Sequence, residues 1–472
     1  MEVPARLRAY YEAGSPTLEL AERLAGAGHE CYLVGGTVRD AFLGATSPDV
    51  DLSTDAPPDE VQRLATGWAE DLWLQGARFG TVAMHKGGLR LEVTTYRADA
   101  YEPDSRKPTV SYGTRIEVDL ARRDFTVNAM ALRLPEPVLV DPFGGAADLA
   151  ARVLRTPQLP AVSFEADPLR MLRAARFVAA FTLEPRPELV DAMRALRHRL
   201  EIVSPERLRD ELSRLLGVAD PSVGLWLLCE TRLADEFVPE LNAMRLEQDP
   251  IHTHKDVLAH TIAVVANTDP AHLTVRLAAL FHDVGKPKTR SIGSDGVSFH
   301  HHEVVGARMT EERLRALHFS NERVHDVTTL VYLHLRIHTY AMGWSDRAVR
   351  RYVRDAGPLL GELNELQRAD CTTRNRRKAA ALGRRMDDLE ERIAALRARE
   401  ELDAIRPPLD GRQVMAYLGV PPGPIVGEAL DFLLEVRLDE GPIAVSDAYA
   451  RLDRWGRARG ITPAGTRDAP SG

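Results

Sequence analysis

Gly35-Gly36-Thr37-Val38-Arg39-Asp40, followed by Asp49-Val50-Asp51-Leu52, decides how the first part of the chain folds. The apolar run Cys31 to Val34 stops at two glycines, the mark of a strand entering a tight turn. Side chains alternate faces along a strand, so Asp49 and Asp51 share one face while Val50 and Leu52 point into a core. Two carboxylates so placed repel unless a cation lies between them, and hard oxygen ligands suit Mg²⁺. Gly35 and Gly36 offer bare backbone N–H groups where a triphosphate could approach closely.

Thr81 to Met84 and Leu89 to Tyr96 predict a hairpin around Lys86-Gly87-Gly88, and the region as a whole is α/β. Within its second strand, Leu89, Leu91 and Val93 alternate on one face and leave Glu92 on the other. Alone, Asp-x-Asp is commonly an exposed strand end, and a lone Glu on a strand is commonly solvated. After Gly-Gly and Asp-x-Asp, Glu92 completes a set able to hold two metal ions. Such ions would activate a 3′-hydroxyl and steady a leaving pyrophosphate.

From Asp167 onward the periodicity turns helical through Leu169, Leu172 and Phe177, and Pro205-Glu206 opens another amphipathic run to Leu216. Pro239 to Pro250 reads as a linker. Val275 to Phe281 predicts an apolar helix that runs into His282-Asp283 and stops at Gly285-Lys286-Pro287. Residues 373–405 form a charged helical stretch, and Pro407-Pro408 with Pro421-Pro422-Gly423-Pro424 bracket a small C-terminal unit.

A chain of 472 residues is too long for one ordinary core and predicts two or three domains. Its 44% hydrophobic and 28% charged residues are the composition of a soluble globular protein. No apolar run approaches the roughly 20 residues that span a bilayer, so no membrane partner is expected. Met1 to Ala13 lacks the apolar core of a secretory signal. Cys31, Cys229 and Cys371 lie far apart, which argues against a zinc ribbon or disulfide framework and fits a cytoplasmic protein.

The net charge of −8 and pI near 6.0 do not announce a nucleic-acid partner, which would need a local basic stripe. Candidates are Arg170, Arg173 and Arg176; Arg194, Arg197, His198 and Arg199; and Arg374, Arg376, Arg377 and Lys378. Each alone is commonly a solvated helix face. The second half carries His260, His282-Asp283, His302, His334 and Asp370. Imidazoles and carboxylates together suit a divalent metal that activates water. His300, His301 and His338 compete with His302 and His334 for that role.

The first motif resembles the head of class II tRNA nucleotidyltransferases and bacterial poly(A) polymerases, and further matches follow in family order. Arg122-Arg123-Asp124-Phe125-Thr126-Val127-Asn128-Ala129-Met130 resembles the ribose-sensing motif, and Asp141-Pro142-Phe143-Gly144-Gly145 the hinge between head and neck. Asp167-Pro168-Leu169-Arg170-Met171-Leu172-Arg173-Ala174-Ala175-Arg176-Phe177 resembles the base-reading motif, and Glu206-Arg207-Leu208-Arg209-Asp210-Glu211-Leu212 the motif that braces the neck. The resemblance covers about the first 215 residues. It departs at Ala166-Asp167, where the family usually has Glu-Asp.

The resemblance implies that Asp49 and Asp51 hold Mg²⁺, with Glu92 as third carboxylate. Gly36 and Arg39 would contact the incoming nucleotide, and Arg123 and Asp124 its ribose and phosphates. Asp167 and Arg170 would read the base edge, and Arg173 and Arg176 would meet phosphate or stiffen the reader. The histidines look like the HD phosphohydrolase pattern, with His260, His282, Asp283 and Asp370 holding Mg²⁺, Mn²⁺ or Ni²⁺. The implied architecture is multidomain: an α/β nucleotidyltransferase head (1–150), a helical neck for base reading and RNA binding (151–245), an HD domain (246–395) and a helical tail (396–472).

The implied substrates are CTP, ATP and the 3′ end of tRNA, and the implied HD side activities are cyclic phosphodiesterase, 2′-nucleotidase or phosphatase. Family products differ, being CCA, CC, A alone or poly(A). Ala98 to Gly113 sits where CCA-adding enzymes carry the loop implicated in switching from C to A, which argues against CC alone. An HD domain and an acidic-to-neutral tail argue against poly(A), leaving CCA addition ahead of A addition. A guanosine-tetraphosphate-type signalling enzyme would place its HD domain first, and an inert RNA scaffold would not need Asp49, Asp51 and Glu92.

Overall fold

Alternation of apolar and polar residues builds the first sheet. In β2 (Asp49–Thr54), Val50 and Leu52 are buried while Asp49 and Asp51 are exposed. β1 (Cys31–Val34) is buried throughout because it runs inside the sheet, between β2 and β8 (Ala131–Leu134). The computed structural model describes residues 3–46, 49–77, 80–100, 109–112, 115–246, 256–293, 296–337, 344–372, 376–400 and 405–461. Its main sheet has seven strands in the order β3-β4-β5-β2-β1-β8-β9, with β3 (Asp71–Trp73), β4 (Thr81–Lys86), β5 (Leu89–Thr95) and β9 (Val138–Val140). β2 and β5 pair in parallel and the other neighbours antiparallel.

The hairpin expected around Lys86-Gly87-Gly88 is present, with Lys86 opposite Leu89. Helices α1 (Pro16–Gly26), α2 (Gly36–Phe42) and α3 (Pro58–Ala65) bury Leu20, Leu24, Val38 and Val61 against Val50, Leu52, Val82, Leu91 and Val93. One sheet face is thereby sealed, and the acids stand on the other. β6 (Arg97–Ala100) and β7 (Thr109–Tyr112) form a separate antiparallel pair. They are the two ends of the proposed switch loop, whose residues 101–108 and 113 lie outside the described residues.

The chain divides into two compact units, Met1–Ala243 with Ala316–His318, and Met244–Arg315 with Phe319–Gly472. In the first, α4 (Ile116–Ala121) precedes the ribose-sensing segment, and α5 (Leu169–Phe181) packs against α6 (Pro205–Leu216) and α7 (Ser222–Glu230).

The described part of the second unit is helical apart from one two-stranded pair, Arg290–Gly293 with Gly296–Phe299. α8 (Val257–Asn267), α9 (Leu273–Phe281), α10 (His302–Ala316), α11 (Asn321–Leu333), α12 (Asp346–Ala356) and α13 (Leu360–Ala369) precede α14 (Arg376–Glu400). The charged α14 buries Met386, Leu389, Ile393 and Leu396, a helical stripe. The C-terminal α15 (Gly411–Leu418), α16 (Pro424–Glu440) and α17 (Val445–Ala458) close a small core of their own around Leu433, Leu452 and Trp455.

One reading of the punctuation needs correction. Gly285 does not end α9 in a left-handed cap: its φ is −76° and Lys286–Thr289 forms a further helical turn. Glycine is needed there for space, because a Cβ would stand 2.2 Å from the His302 carbonyl oxygen and 2.7 Å from the Gly306 nitrogen. The start of α10 therefore lies directly against the chain that follows Asp283. No helix among the described residues is long and apolar enough to cross a membrane.

Candidate functional sites

The parallel pairing of β2 with β5 sets Asp51 opposite Glu92, so both carboxylates stand on one sheet face beside Asp49. Desolvation in the surrounding cleft, with repulsion from Glu92 and Asp49, holds the Asp51 carboxyl above its ordinary range although Arg123 and Arg39 pull it down. Asp51 nonetheless keeps solvent contact. Oxygen donors of this kind have the chemistry of a hard-cation site, although the ligand atoms of Asp49, Asp51 and Glu92 do not converge within 4.8 Å of one another. Glu92 also pairs with Arg90 at 2.6 Å. Gly35 bends the chain past these acids with φ +63°, and a Cβ there would come within 2.8 Å of Arg123 Nη1.

A cleft of about 380 Å³ brings Gly35, Gly36 and Asp51 together with Arg123, Asp124, Asp167, Arg170 and Arg173. Asp167 is held from both sides, its Oδ2 accepting from Arg207 at 2.9 Å and its Oδ1 from the Leu169 N–H at 3.2 Å. Arg170 donates to Ser163 Oγ at 2.8 Å and to the Arg122 carbonyl at 2.5 Å. Burial raises the Asp124 carboxyl, but Arg173 (2.5 and 2.8 Å) and Asn128 (2.9 Å) outweigh it and hold the group below its usual range.

Two of the expected nucleotide contacts are engaged by protein partners. Arg39, whose Nη2 lies 3.5 Å from where a Gly36 Cβ would stand, donates to Asp40 at 2.7 Å and to Asn128 at 2.7 Å, and lies over the Phe181 ring at 4.4 Å. Arg176 turns to the buried Glu211 of α6. Both have protein partners in this structure, and Arg170, Arg173 and Arg176 are not the solvated basic face that their spacing allows. Arg122, Asn128 and Arg207 also line the cleft, although sequence reasoning gave none of them a role of its own. All three lie inside motifs of the sequence, but only the fold shows that α6 delivers Arg207 to Asp167 from 40 residues away.

In the second unit, His260 comes from α8, His282 and Asp283 follow α9, His302 opens α10, His334 follows α11 and Asp370 follows α13. Helix ends thus converge, and the side chains meet. His260 Nε2 lies 2.9 Å from Asp370 Oδ1 and 3.4 Å from His282 Nε2. His282 Nε2 lies 3.2 Å from Asp283 Oδ2, and His302 Nε2 lies 3.5 Å from Asp283 Oδ1. His302 and His334 are both buried, whereas His301 is 83% exposed and His338 lies outside the described residues.

Burial raises the Asp283 carboxyl, but His282, His302 and Lys286 overcome it and hold the group well below its ordinary value. Burial also lowers Asp370's neighbour His282, yet Asp283 and Asp370 prevail and raise it. His334 is pushed down to about 3, by burial first and by His282 second, so it is a neutral imidazole at pH 7. Imidazoles and ionised carboxylates gathered in one place are a donor set that fits a divalent metal.

Residues 31–155 match the family described as "Poly A polymerase head domain", residues 181–245 "Probable RNA and SrmB-binding site of polymerase A", and residues 257–396 "HD domain". The A-adding tRNA nucleotidyltransferase of Deinococcus radiodurans is 37% identical over 440 residues, covering 90% of this chain and 95% of that protein. The CCA-adding enzyme of Bacillus subtilis is 39% identical over 212 residues, 45% of this chain and 52% of that protein, so the match spans about half of each. Among solved structures, the Bacillus stearothermophilus CCA-adding enzyme in complex with CTP has a TM-score of 0.67 at 24% identity, covering 94% of this chain and 97% of that one. The Thermotoga maritima CCA-adding enzyme complexed with tRNA has a TM-score of 0.59 at 19% identity, covering 96% and 100%. These two share the fold. The near full-length relative, the three matched regions and the order of the motifs show that this chain belongs to the tRNA nucleotidyltransferase and poly(A) polymerase family, with an HD domain after its head and RNA-binding region.

Proposed function

We propose that the first unit adds CCA, from CTP and ATP, to the 3′ end of tRNA without a template. The observation that carries this reading is the placement of Asp167 and Arg170 in the same cleft as Asp51. A carboxylate accepts from the exocyclic amine that cytosine and adenine share, and a guanidinium donates to ring acceptors. Uracil and guanine present a carbonyl at that edge and leave the carboxylate facing another acceptor. Asp49, Asp51 and Glu92 would hold Mg²⁺, which supplies charge stabilisation for the α-phosphorus and the departing pyrophosphate. Gly35 leaves room beside the acids, and Arg123 stands over that space.

A second reading, addition of the terminal A alone, is favoured by the near full-length relative from Deinococcus radiodurans. One assay separates the two. tRNA transcripts ending before CCA, or after CC, are incubated with Mg²⁺ and each labelled nucleoside triphosphate, and the products are sequenced. CCA addition extends both transcripts, whereas A addition extends only the second. Long homopolymer would indicate poly(A) synthesis, and no extension of either transcript rejects the nucleotidyltransferase assignment. Replacing residues 98–113 by a short Gly-Ser link should leave CC addition and stop the terminal A.

The second unit is proposed as a metal-dependent phosphohydrolase, with His260, His282, Asp283 and Asp370 as ligands for Mg²⁺, Mn²⁺ or Ni²⁺. The double variant His282→Ala with Asp283→Ala should lose hydrolysis of 2′,3′-cyclic phosphates and phosphomonoesters. Its nucleotide addition should stay within a few-fold of wild type, since sites without shared partners act independently.

A further inference from the structure

We propose that Asp119, buried behind the first cleft, is a positioning residue that holds the Arg123 guanidinium toward the Gly35 turn and keeps it from pairing with Asp51. The proposal rests on the nucleotidyltransferase reading of that cleft and adds a residue from outside its lining.

Asp119 belongs to α4 and is fully buried. Two arginines share it. Its Oδ1 accepts from Arg122 Nη2 at 2.6 Å and from Arg122 Nε at 2.9 Å, two donors that fix the orientation of the carboxylate. Its Oδ2 is thereby turned to Arg123 Nη2, 3.2 Å away. Ser53 follows Asp49 and Asp51 on the same face of β2 and closes a triangle. Its Oγ accepts from Arg123 Nη2 at 3.3 Å and donates to Asp119 Oδ2 at 3.4 Å. Burial alone would raise the Asp119 carboxyl, but Arg123 and Arg122 outweigh it and hold the group below its ordinary range. It is therefore ionised at neutral pH and attracts both cations.

The hold on Arg123 is one-sided. Among the described residues its hydrogen bonds are made by Nη2, and Nε is buried without a partner. Nη1 is left for the cleft, where a Cβ at Gly35 would lie 2.8 Å from it and 3.7 Å from Asp51 Oδ2. Asp51 is thus the next carboxylate within reach, and of the charges around it Arg123 acts most strongly. The ion pair that Arg123 makes is nevertheless with Asp119, at 3.2 Å. A guanidinium between two acids goes to the one that holds it better. Asp119 is sealed from water, where attraction is least screened, whereas Asp51 is open to solvent. Were Asp119 neutral, Arg123 would turn to Asp51. It would then take an oxygen needed by a cation and leave the place from which it can donate to a phosphate.

In the test, the full-length chain is given Mg²⁺ and a tRNA transcript that the wild type extends with CTP or ATP. Asp119→Asn keeps the side chain's shape and removes its charge. It should raise KM for the triphosphate about tenfold, the loss of one charged contact, and the half-saturating Mg²⁺ concentration at least about threefold. With both saturating, kcat should stay within about threefold, a split that a smaller folded fraction would not produce. In an Arg123→Met background the same substitution should change KM and Mg²⁺ dependence by no more than about twofold, because Asp119 acts through that guanidinium. Ser53→Ala loosens the same nitrogen without altering charge. It should raise KM about two- to threefold, and it carries the test alone if Asp119→Asn does not fold. Unchanged KM and Mg²⁺ dependence, or an equal effect with and without Arg123, overturns the proposal. If the wild type extends no transcript, the nucleotidyltransferase reading fails, and a crystal structure of the folded variant decides the positioning. Arg123 within about 4 Å of an Asp51 oxygen then supports it, and Arg123 left in place overturns it.

Discussion

Asp49 and Asp51 stand exposed on a strand face, whereas Asp283 is 1% exposed among imidazoles anchored by backbone carbonyls. In the first cleft, nearby cations and acids are balanced so that Asp51 is held above its ordinary range. In the second, Asp283 is driven far below it. An exposed acid with a raised pKa binds cations weakly by itself and gains them together with a polyanionic substrate. A buried, preset cage keeps its own. Under the proposed functions the two units would use their acids differently: one for a partner that comes and goes, the other for a resident ion.

The largest effect tests the open cleft. Asp51→Ala should lower incorporation of both CMP and AMP by about a thousandfold, the several kcal/mol that a metal's charge stabilisation supplies. A loss smaller than tenfold would sink the assignment. Next, Arg173→Met leaves Asp124 buried without its cation and should destabilise the first unit by at least about 3 kcal/mol in urea melts at pH 7.

The pH dependence should change sign with it. In the wild type, the depressed Asp124 pKa contributes stability that is full above the unfolded value of about 3.9 and is lost as pH falls through the folded value. In Arg173→Met the folded pKa becomes raised, so the penalty should vanish in acid and grow as pH rises above about 4. Equal destabilisation at pH 4 and pH 7 would show that Asp124 is not the group involved.

Chelation sharpens the contrast further. EDTA should lower the unfolding temperature of the second unit alone, by the equivalent of about 2.7 kcal/mol if the ion stood at a hundredfold excess over its Kd. The first unit should respond to Mg²⁺ only when CTP or ATP is present. If both units respond alike to bare metal, the distinction between open and preset sites is gone. Asp167→Ala should show the smallest change, relaxing discrimination against UTP and GTP by about 10- to 100-fold through loss of one charged hydrogen bond.

The strands, the shared face of Asp49 and Asp51, and the position of Glu92 were legible because alternation is a local property. What Glu92 pairs with was not, because register between β2 and β5 depends on packing 41 residues apart. Arg39 and Arg176 show the same limit. Their motif positions suggest ligand contact, and the protein partners that hold them, Asn128 and Glu211, arrive from distant segments. Glycine has two uses, backbone freedom and close approach, and sequence does not distinguish them, so Gly285 reads as a helix stop where the fold needs it for space. His302 and His334 could not be selected from His300, His301 and His338 until helix ends placed them around Asp283.

The ties between α5 and the segment before it have a mechanical meaning. Arg170 grips the carbonyl of Arg122 and Arg173 grips the side chain of Asp124, so the helix bearing the base-edge groups is bolted to the strip expected to meet the ribose. Those two walls move as one body. Sliding one past the other would break the Arg173–Asp124 ion pair and leave the buried Asp124 without its closest cation. Any change of preference during a reaction cycle must therefore come from parts outside this clamp, which act on a template whose inner dimensions stay constant.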